Sequence, residues 1–271
     1  MIAKPFNITS STYFSMNLSK EKKAMFLAAK KASKVILHHY GKKETIKEKS
    51  NKSLVATADL ESNKVIIKTI KKYFPSHSIL SEETGFEDNK SDFKWVIDPI
   101  DGTHNFLRQI PIFGTSIALE YKNEVVLGIL NFPVLCITAI AEKNRGAFLN
   151  GKRIKVSSKK NLDHAILAIE FSYANRREKT DFLEKLIHKA IDIRNFGSAV
   201  YQLLLVASGK CDGYVVLSTN EWDIAAGFLL VEEAGGKITD LKGNKWATHQ
   251  NKYVISNGKV HKEPPQIKQC G

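Results

Sequence analysis

The stretch Trp95-Val96-Ile97-Asp98-Pro99-Ile100-Asp101-Gly102-Thr103-His104-Asn105-Phe106 decides how this chain is read. It begins as an apolar strand and then breaks that pattern with two carboxylates, a proline, a glycine and a hydroxyl. A strand can hold Asp98 and Asp101 in place while Pro99 and Gly102 turn the chain. The two carboxylates then converge on a hard cation, which prefers oxygen ligands. The N–H groups of Gly102 and Thr103 are placed to meet a phosphate, above all if a helix begins there. The same residues also make an ordinary polar turn after a strand, as Asp, Pro and Gly routinely do.

Three further acidic positions bear on that choice. Ser81-Glu82-Glu83-Thr84-Gly85 follows a short strand, Ser78 to Ser81, so Glu82 is either a strand-end metal ligand or loop polarity. Glu221-Trp222-Asp223 opens a helix that continues as Ile224-Ala225-Ala226-Gly227-Phe228-Leu229-Leu230-Val231, apolar on nearly every face and therefore buried. Asp223 in its first turn caps the helix, and burial gives it reason to hold a partner as well. Asp59, after Leu54-Val55-Ala56-Thr57-Ala58, is an N-cap unless it also meets Thr103, in which case the pair can orient a water. Together these are the parts of a metal-assisted phosphate-ester hydrolase. The eight histidines show no ligand spacing. There is no GxxxxGK[ST] loop, no GxGxxG and no Ser-His-Asp or Cys-His ordering.

At 271 residues and 43% hydrophobic content the chain has material for a large core. Its formal charge of +13 favours anionic ligands. The lysines are scattered, form no single stripe and lack interleaved aromatics, which argues for solvated faces over an RNA site. Cys136, Cys211 and Cys270 are too far apart for a disulfide framework or a zinc site, and a reduced, cytoplasmic compartment fits them. No segment has signal-peptide character or membrane length.

Residues 1–18 read as a mobile polar leader. A helix is expected from Ser19, as its N-cap, to Tyr40, with Ala24, Leu27, Ala28, Ala32, Val35 and Ile36 on its apolar face. A polar loop or hairpin follows over 41–53. A second helix runs from Asp59 to Phe74, packed through Leu60, Val65, Ile66 and Ile70. Strands are expected at 78–81, 94–98, 115–121, 125–132, 135–142 and 146–149, with turns at Lys122-Asn123 and Asn150-Gly151. Beyond Val156 strands (165–170, 191–194, 213–217) alternate with helices (178–189, 198–207, 221–233), so the fold class is mixed α/β. The organisation is an N-terminal α+β metal-binding half over 19–155 and a C-terminal α/β half over 156–271 that completes the site.

The three blocks Glu82-Glu83, Asp98 to Phe106 and Trp222 to Gly236, in this order and spacing, resemble the inositol monophosphatase family over about Lys20 to Gly258. The resemblance implies a layered αβαβα sandwich of the inositol monophosphatase/fructose-1,6-bisphosphatase type, a homodimer, and phosphomonoesterase activity with two or three Mg²⁺ per site. It implies metal binding by Glu82, Asp98, Asp101, Asp223 and the Ile100 carbonyl, and water orientation by Thr103 with Asp59 beside Glu82. It places Ile100, Asp101, Gly102, Thr103, Gly197, Ser198 and Ala199 against the substrate.

Two departures stand out. The family often reads Asp-Leu-Val-Thr where this chain has Ser53-Leu54-Val55-Ala56. Inositol-specific members carry a ring-binding glutamate at the position matched by Val216, and a valine cannot accept a hydroxyl hydrogen bond. The default substrate is inositol 1-phosphate. The alternatives are a 3′(2′),5′-bisphosphate nucleotide, histidinol phosphate, fructose bisphosphate, and a binding role toward RNA or the transcription machinery.

Overall fold

The computed structural model describes residues 17–43, 45–48, 54–171, 176–248 and 250–261. Helix α1 (Ser19–His39) forms from alanine- and lysine-rich sequence of high helix propensity and buries Ala24, Met25, Ala28, Ala29, Ala32 and Ile36. Ser19 is its first helical residue and not the cap. Leu18 holds the cap position, and Asn17 Oδ1 accepts the Ser19 N–H at 3.1 Å. Leu18, expected within the leader, is buried in the core; residues 1–16 lie outside the described residues.

Strands β1 (Ile46–Glu48) and β2 (Leu54–Ala56) pair antiparallel and lead into helix α2 (Thr57–Tyr73). Ile66 and Ile70 are buried on α2 as expected, but Leu60 is 46% exposed. Polar Ser62 and Asn63 take the inward positions instead, beneath the site: Asn63 Oδ1 accepts the Ser81 hydroxyl at 2.7 Å. Strands β3 (Ser78–Ser81), β4 (Gly85–Glu87) and β5 (Phe93–Asp101) follow. The expectation missed β4 because all three of its residues are exposed and carry no apolar alternation.

Beyond the short helix α3 (Thr103–Leu107) come β6 (Gly114–Tyr121), β7 (Glu124–Phe132), β8 (Ile137–Glu142), β9 (Gly146–Leu149) and β10 (Lys152–Arg153). The C-terminal elements are β11 (Ile166–Ile169), α4 (Arg176–Ile187), β12 (Asp192–Arg194), α5 (Ala199–Ala207), β13 (Gly213–Val216), α6 (Glu221–Glu233), β14 (Lys237–Asp240) and β15 (Tyr253–Ser256).

The larger sheet has eight strands in the order β10-β9-β8-β7-β6-β5-β3-β4, antiparallel except for the parallel pair β3/β5. The smaller has five, β12-β11-β13-β15-β14, with β11 parallel to both of its neighbours. Helices α1 and α2 pack together on one face of the larger sheet, and α5 and α6 lie between the two sheets. The period-two alternation of the small sheet shows its layering. Ala168, Tyr214 and Val216 face α5 and α6, whereas Leu167, Ile169, Val215 and Leu217 pack with Phe182 and Leu186 of α4. The result is the αβαβα sandwich. Every strand of the larger sheet ends by Arg153, yet one core joins Val96, Ala118 and Leu130 of that sheet to Tyr214 and Ile255 of the other through Leu203 and Phe228.

Candidate active site

Strand β5 delivers Asp98 and Asp101 to the edge of this shared core. Its pairing with β6 is regular to Asp98↔Ser116 and resumes at Asp101↔Gly114, so the strand bends at Pro99-Ile100 between the two carboxylates. Gly102 then takes φ +87° and caps α3. A Cβ there would lie 3.0 Å from the Ile112 carbonyl oxygen, so both the turn and the close approach require glycine. Helix α6 begins at Glu221 and places Asp223 in its first turn.

Carboxylate oxygens of Asp98, Asp101 and Asp223 lie within 4.8 Å of one another. Asp98 is 1% exposed, and its Oδ1 has no hydrogen-bond partner. Burial pushes its carboxyl well above the ordinary carboxylate range, and the charges of Glu82, Asp101, Asp223 and Asp59 add to that. Asp101 is pushed up to about 7, by burial first and by Asp223 second, against the pull of three donors: the Ser198 hydroxyl and the Val200 and Ala199 N–H groups, the last two at 3.2 Å. Asp223 also rises to about 7, chiefly through burial. The Asn220 N–H at 2.8 Å, the Thr219 hydroxyl at 3.1 Å and the Asn220 amide at 3.3 Å all meet its Oδ2.

Two buried carboxylates, Asp98 and Asp101, converging with the half-buried Asp223 are costly as bare anions. The orphaned Asp98 oxygen and the all-oxygen donor set fit a hard divalent cation of the Mg²⁺ or Mn²⁺ kind.

Glu82 follows β3, its N–H bonded to the Ile97 carbonyl at 3.1 Å, and its charge acts on both Asp98 and Asp223. Its carboxylate is nevertheless outside the 4.8 Å group. Asp59 and Thr103 do meet: Thr103 Oγ1 is 3.4 Å from Asp59 Oδ1 and 3.1 Å from the Ile100 carbonyl. Asp59 is the third residue of α2 and not its N-cap, which is Ala56; its Oδ2 accepts the Ala56 N–H at 2.9 Å while Oδ1 faces Thr103. Ser198 and Ala199, expected against substrate, are turned onto Asp101 at the start of α5. Val216 is 1% exposed and packs in the core facing α5 and α6. Glu221 is engaged by Lys94 Nζ at 2.5 Å.

The order and geometry of these elements agree with a family model described as the inositol monophosphatase family, which matches residues 17–268. The chain belongs to the inositol monophosphatase family. It is 37% identical over 239 residues to a Thermotoga maritima protein named fructose-1,6-bisphosphatase/inositol-1-monophosphatase, covering 88% of this chain and 91% of the relative. It is 35% identical over 247 residues to the Nus factor SuhB of Escherichia coli K12, covering 89% and 90%. The crystal structure of the extragenic suppressor protein SuhB from Bartonella henselae superposes with a TM-score of 0.85 at 31% identity, covering 89% of this chain and 95% of that one.

Several supports of this family site escaped the sequence reading. Asn105 Nδ2 donates to the Ile112 carbonyl at 2.7 Å and the Phe196 carbonyl at 2.8 Å, tying α3 to the loop that carries Ser198. Gln202 Oε1 accepts the Phe196 N–H at 3.3 Å from the other side. The Asn105–Phe196 contact joins segments 91 residues apart and leaves no local pattern. The Asn220-Glu221-Trp222-Asp223 cap did have a signal, since an Asn three residues before an acidic residue is a helix-start signature.

Proposed function

We propose that this protein hydrolyses a small phosphate monoester with Mg²⁺, two or three ions per site, and that inositol 1-phosphate is the first substrate to test. The observation that carries the reading is the partnerless, buried Asp98 oxygen among the Asp98, Asp101 and Asp223 carboxylates, with the Asp59–Thr103 pair beside it. When bound, the divalent ions neutralise phosphate charge and stabilise the departing alkoxide. Asp98, Asp101, Asp223, Glu82 and the Ile100 carbonyl hold them. The Thr103 hydroxyl, backed by Asp59, orients the attacking water, and the Gly102 and Thr103 N–H groups receive the phosphate. Ser198 and the start of α5 fix Asp101 and form, with Gly197 and Ala199, the substrate-side wall.

Burial of Val216 removes one polar contact to a ring hydroxyl, which favours tolerance of other sugar phosphates. The Thermotoga relative, whose name joins two phosphatase activities, supports that breadth. The protein acts as a cytoplasmic homodimer in this reading. Cys136 and Cys211 are free thiols, and no helix among the described residues is long and apolar enough to cross a membrane.

Phosphate release from inositol 1-phosphate, fructose 1,6-bisphosphate, histidinol phosphate and 3′-phosphoadenosine 5′-phosphate, with Mg²⁺ and with EDTA, tests the reading. Mg²⁺-dependent release from a sugar or polyol phosphate is expected. Dominant nucleotide turnover would overturn the substrate, and no release from folded protein would overturn the chemistry.

One observation favours a second role. Lys20, Lys23, Lys30, Lys31 and Lys34 are all exposed and, at about 100° per residue, fall within about 100° of one another around α1. Scattered along the linear sequence, these lysines gather into a stripe only around the helix. With the E. coli relative named a Nus factor, this face is the place to test RNA binding near physiological salt.

A further inference from the structure

Helix α6 must present Asp223 to Asp98 and Asp101, and polar contacts fix it at both ends; at the far end Glu233 accepts the Asn144 and Gly146 N–H groups, each at 2.7 Å. Residues Ile224 to Val231 are all buried among small and aliphatic side chains, and apolar burial is non-directional. A shift of one residue is about 1.5 Å, three times the tolerance of about 0.5 Å that a functional constellation allows. Polar contacts of its first turn hold the register at the end that carries Asp223.

Lys94, Val96 and Asp98 point to one face of β5, and their partners across the ladder on β6 are Glu120, Ala118 and Ser116. The first turn of α6 lies along this same face. Lys94 Nζ is 2.9 Å from Glu120 Oε2 and 2.5 Å from Glu221 Oε1, so one ammonium holds two carboxylates. Glu120 is 1% exposed, and the side chains of Lys94 and Glu221 are 21% and 19% exposed. Ser116, opposite Asp98, donates its hydroxyl to the Trp222 carbonyl at 3.2 Å. The residues Glu221, Trp222 and Asp223 therefore meet, in sequence, Lys94, Ser116 and the carboxylate cluster.

We propose that Lys94, anchored by the buried Glu120, and Ser116 are positioning residues that clamp the first turn of α6 through Glu221 and Trp222, and so set the cation affinity of the site from two ladder pairs away. This rests on the cation-binding reading given above. The clamp belongs to this chain's own choice of residues at four separate positions, and none of them touches the cluster as a ligand.

The test is calorimetric titration of the full-length protein with Mg²⁺ alone, paired with thermal unfolding in EDTA. Glu221→Ala opens the clamp while leaving the Lys94–Glu120 pair intact, and Glu221→Gln keeps an acceptor of the same length. Ser116→Ala removes the second tether with minimal change of volume. Expected are cation binding weakened about tenfold in Glu221→Ala, which is about 1.4 kcal/mol, recovery to within about threefold in Glu221→Gln, and a smaller loss in Ser116→Ala. Cation affinity within twofold of wild type in both Glu221→Ala and Ser116→Ala, whatever happens to thermal stability, would overturn the clamp. Wild-type protein that takes up no Mg²⁺ would overturn the cation reading and the clamp with it, whereas binding by wild type that is lost in Asp98→Asn keeps the site and isolates the clamp as the variable.

Discussion

Stripping divalent cations from the protein and varying the pH tests the carboxylate cluster most directly. Asp101 rises from 3.8 to about 7 on folding, mainly through burial and then through Asp223. At about 1.4 kcal/mol per pH unit this amounts to about 4 kcal/mol. The sign follows from proton counting. The folded state binds the proton more tightly than the unfolded chain, so metal-free stability is intact below the unfolded value and falls as pH rises, the loss being complete above about pH 7. Asp101 and Asp223 repel each other and do not ionise independently, so one such step is the expected loss. A bound cation removes that penalty at alkaline pH but must compete with the protons at acid pH. His261, held down to about 4 chiefly by burial, runs the opposite way, because its stability contribution grows as pH rises. It cancels if the readout is the difference between Mg²⁺ and EDTA at each pH. Urea unfolding followed by circular dichroism, at constant ionic strength and about pH 4.5 and pH 8.5, supplies that difference. At Mg²⁺ a hundredfold above its Kd, a gain of about 3 kcal/mol is expected at the alkaline end, and almost none at the acid end. An equal gain at both pH values, or none at the higher one, would refute the reasoning.

Two other substitutions have definite outcomes. Asp98→Asn removes a buried charge whose Oδ1 has no partner, so phosphate release should fall by about a hundredfold to a thousandfold, as expected when a group acting on transition-state charge is lost. In EDTA at alkaline pH the same variant should unfold at a higher urea concentration than wild type. Gly128→Ala would put a Cβ 2.9 Å from the backbone of Ala226, where β7 touches α6. A loss of about 1–3 kcal/mol in urea unfolding is expected from this overpacking.

The local elements were legible where the hydrophobic period and the breakers agreed. The β6/β7 hairpin is placed to within one residue, because alternation runs into Lys122-Asn123, both at positive φ. Helix α6 was bounded correctly by its cap and by Gly235-Gly236, where the Gly236 N–H closes on the Val231 carbonyl at 2.9 Å. The small strands β14 and β15 were not expected, since four-residue segments exist only through partners found elsewhere in the chain. Leu60 shows the limit of apolar counting. Its helix turns Ser62 and Asn63 inward toward β3, and a leucine is left outside.

The sequence by itself determined that Asp98, Asp101, Gly102 and Thr103 lie together, because they sit within six residues and local backbone geometry suffices to converge them. It also determined that Asp223 opens a buried helix. Only the tertiary structure decided that Asp223, more than a hundred residues away, meets Asp98 and Asp101 within 4.8 Å, and that Ser198 is spent on Asp101. It likewise decided that Lys94, Glu120 and Ser116 seat α6. The reason is physical: a turn is specified by dihedral preferences of neighbouring residues, whereas a cluster drawn from β5, α5 and α6 is specified by how helices and sheets pack. That packing is a property of the whole core and is written in no single segment.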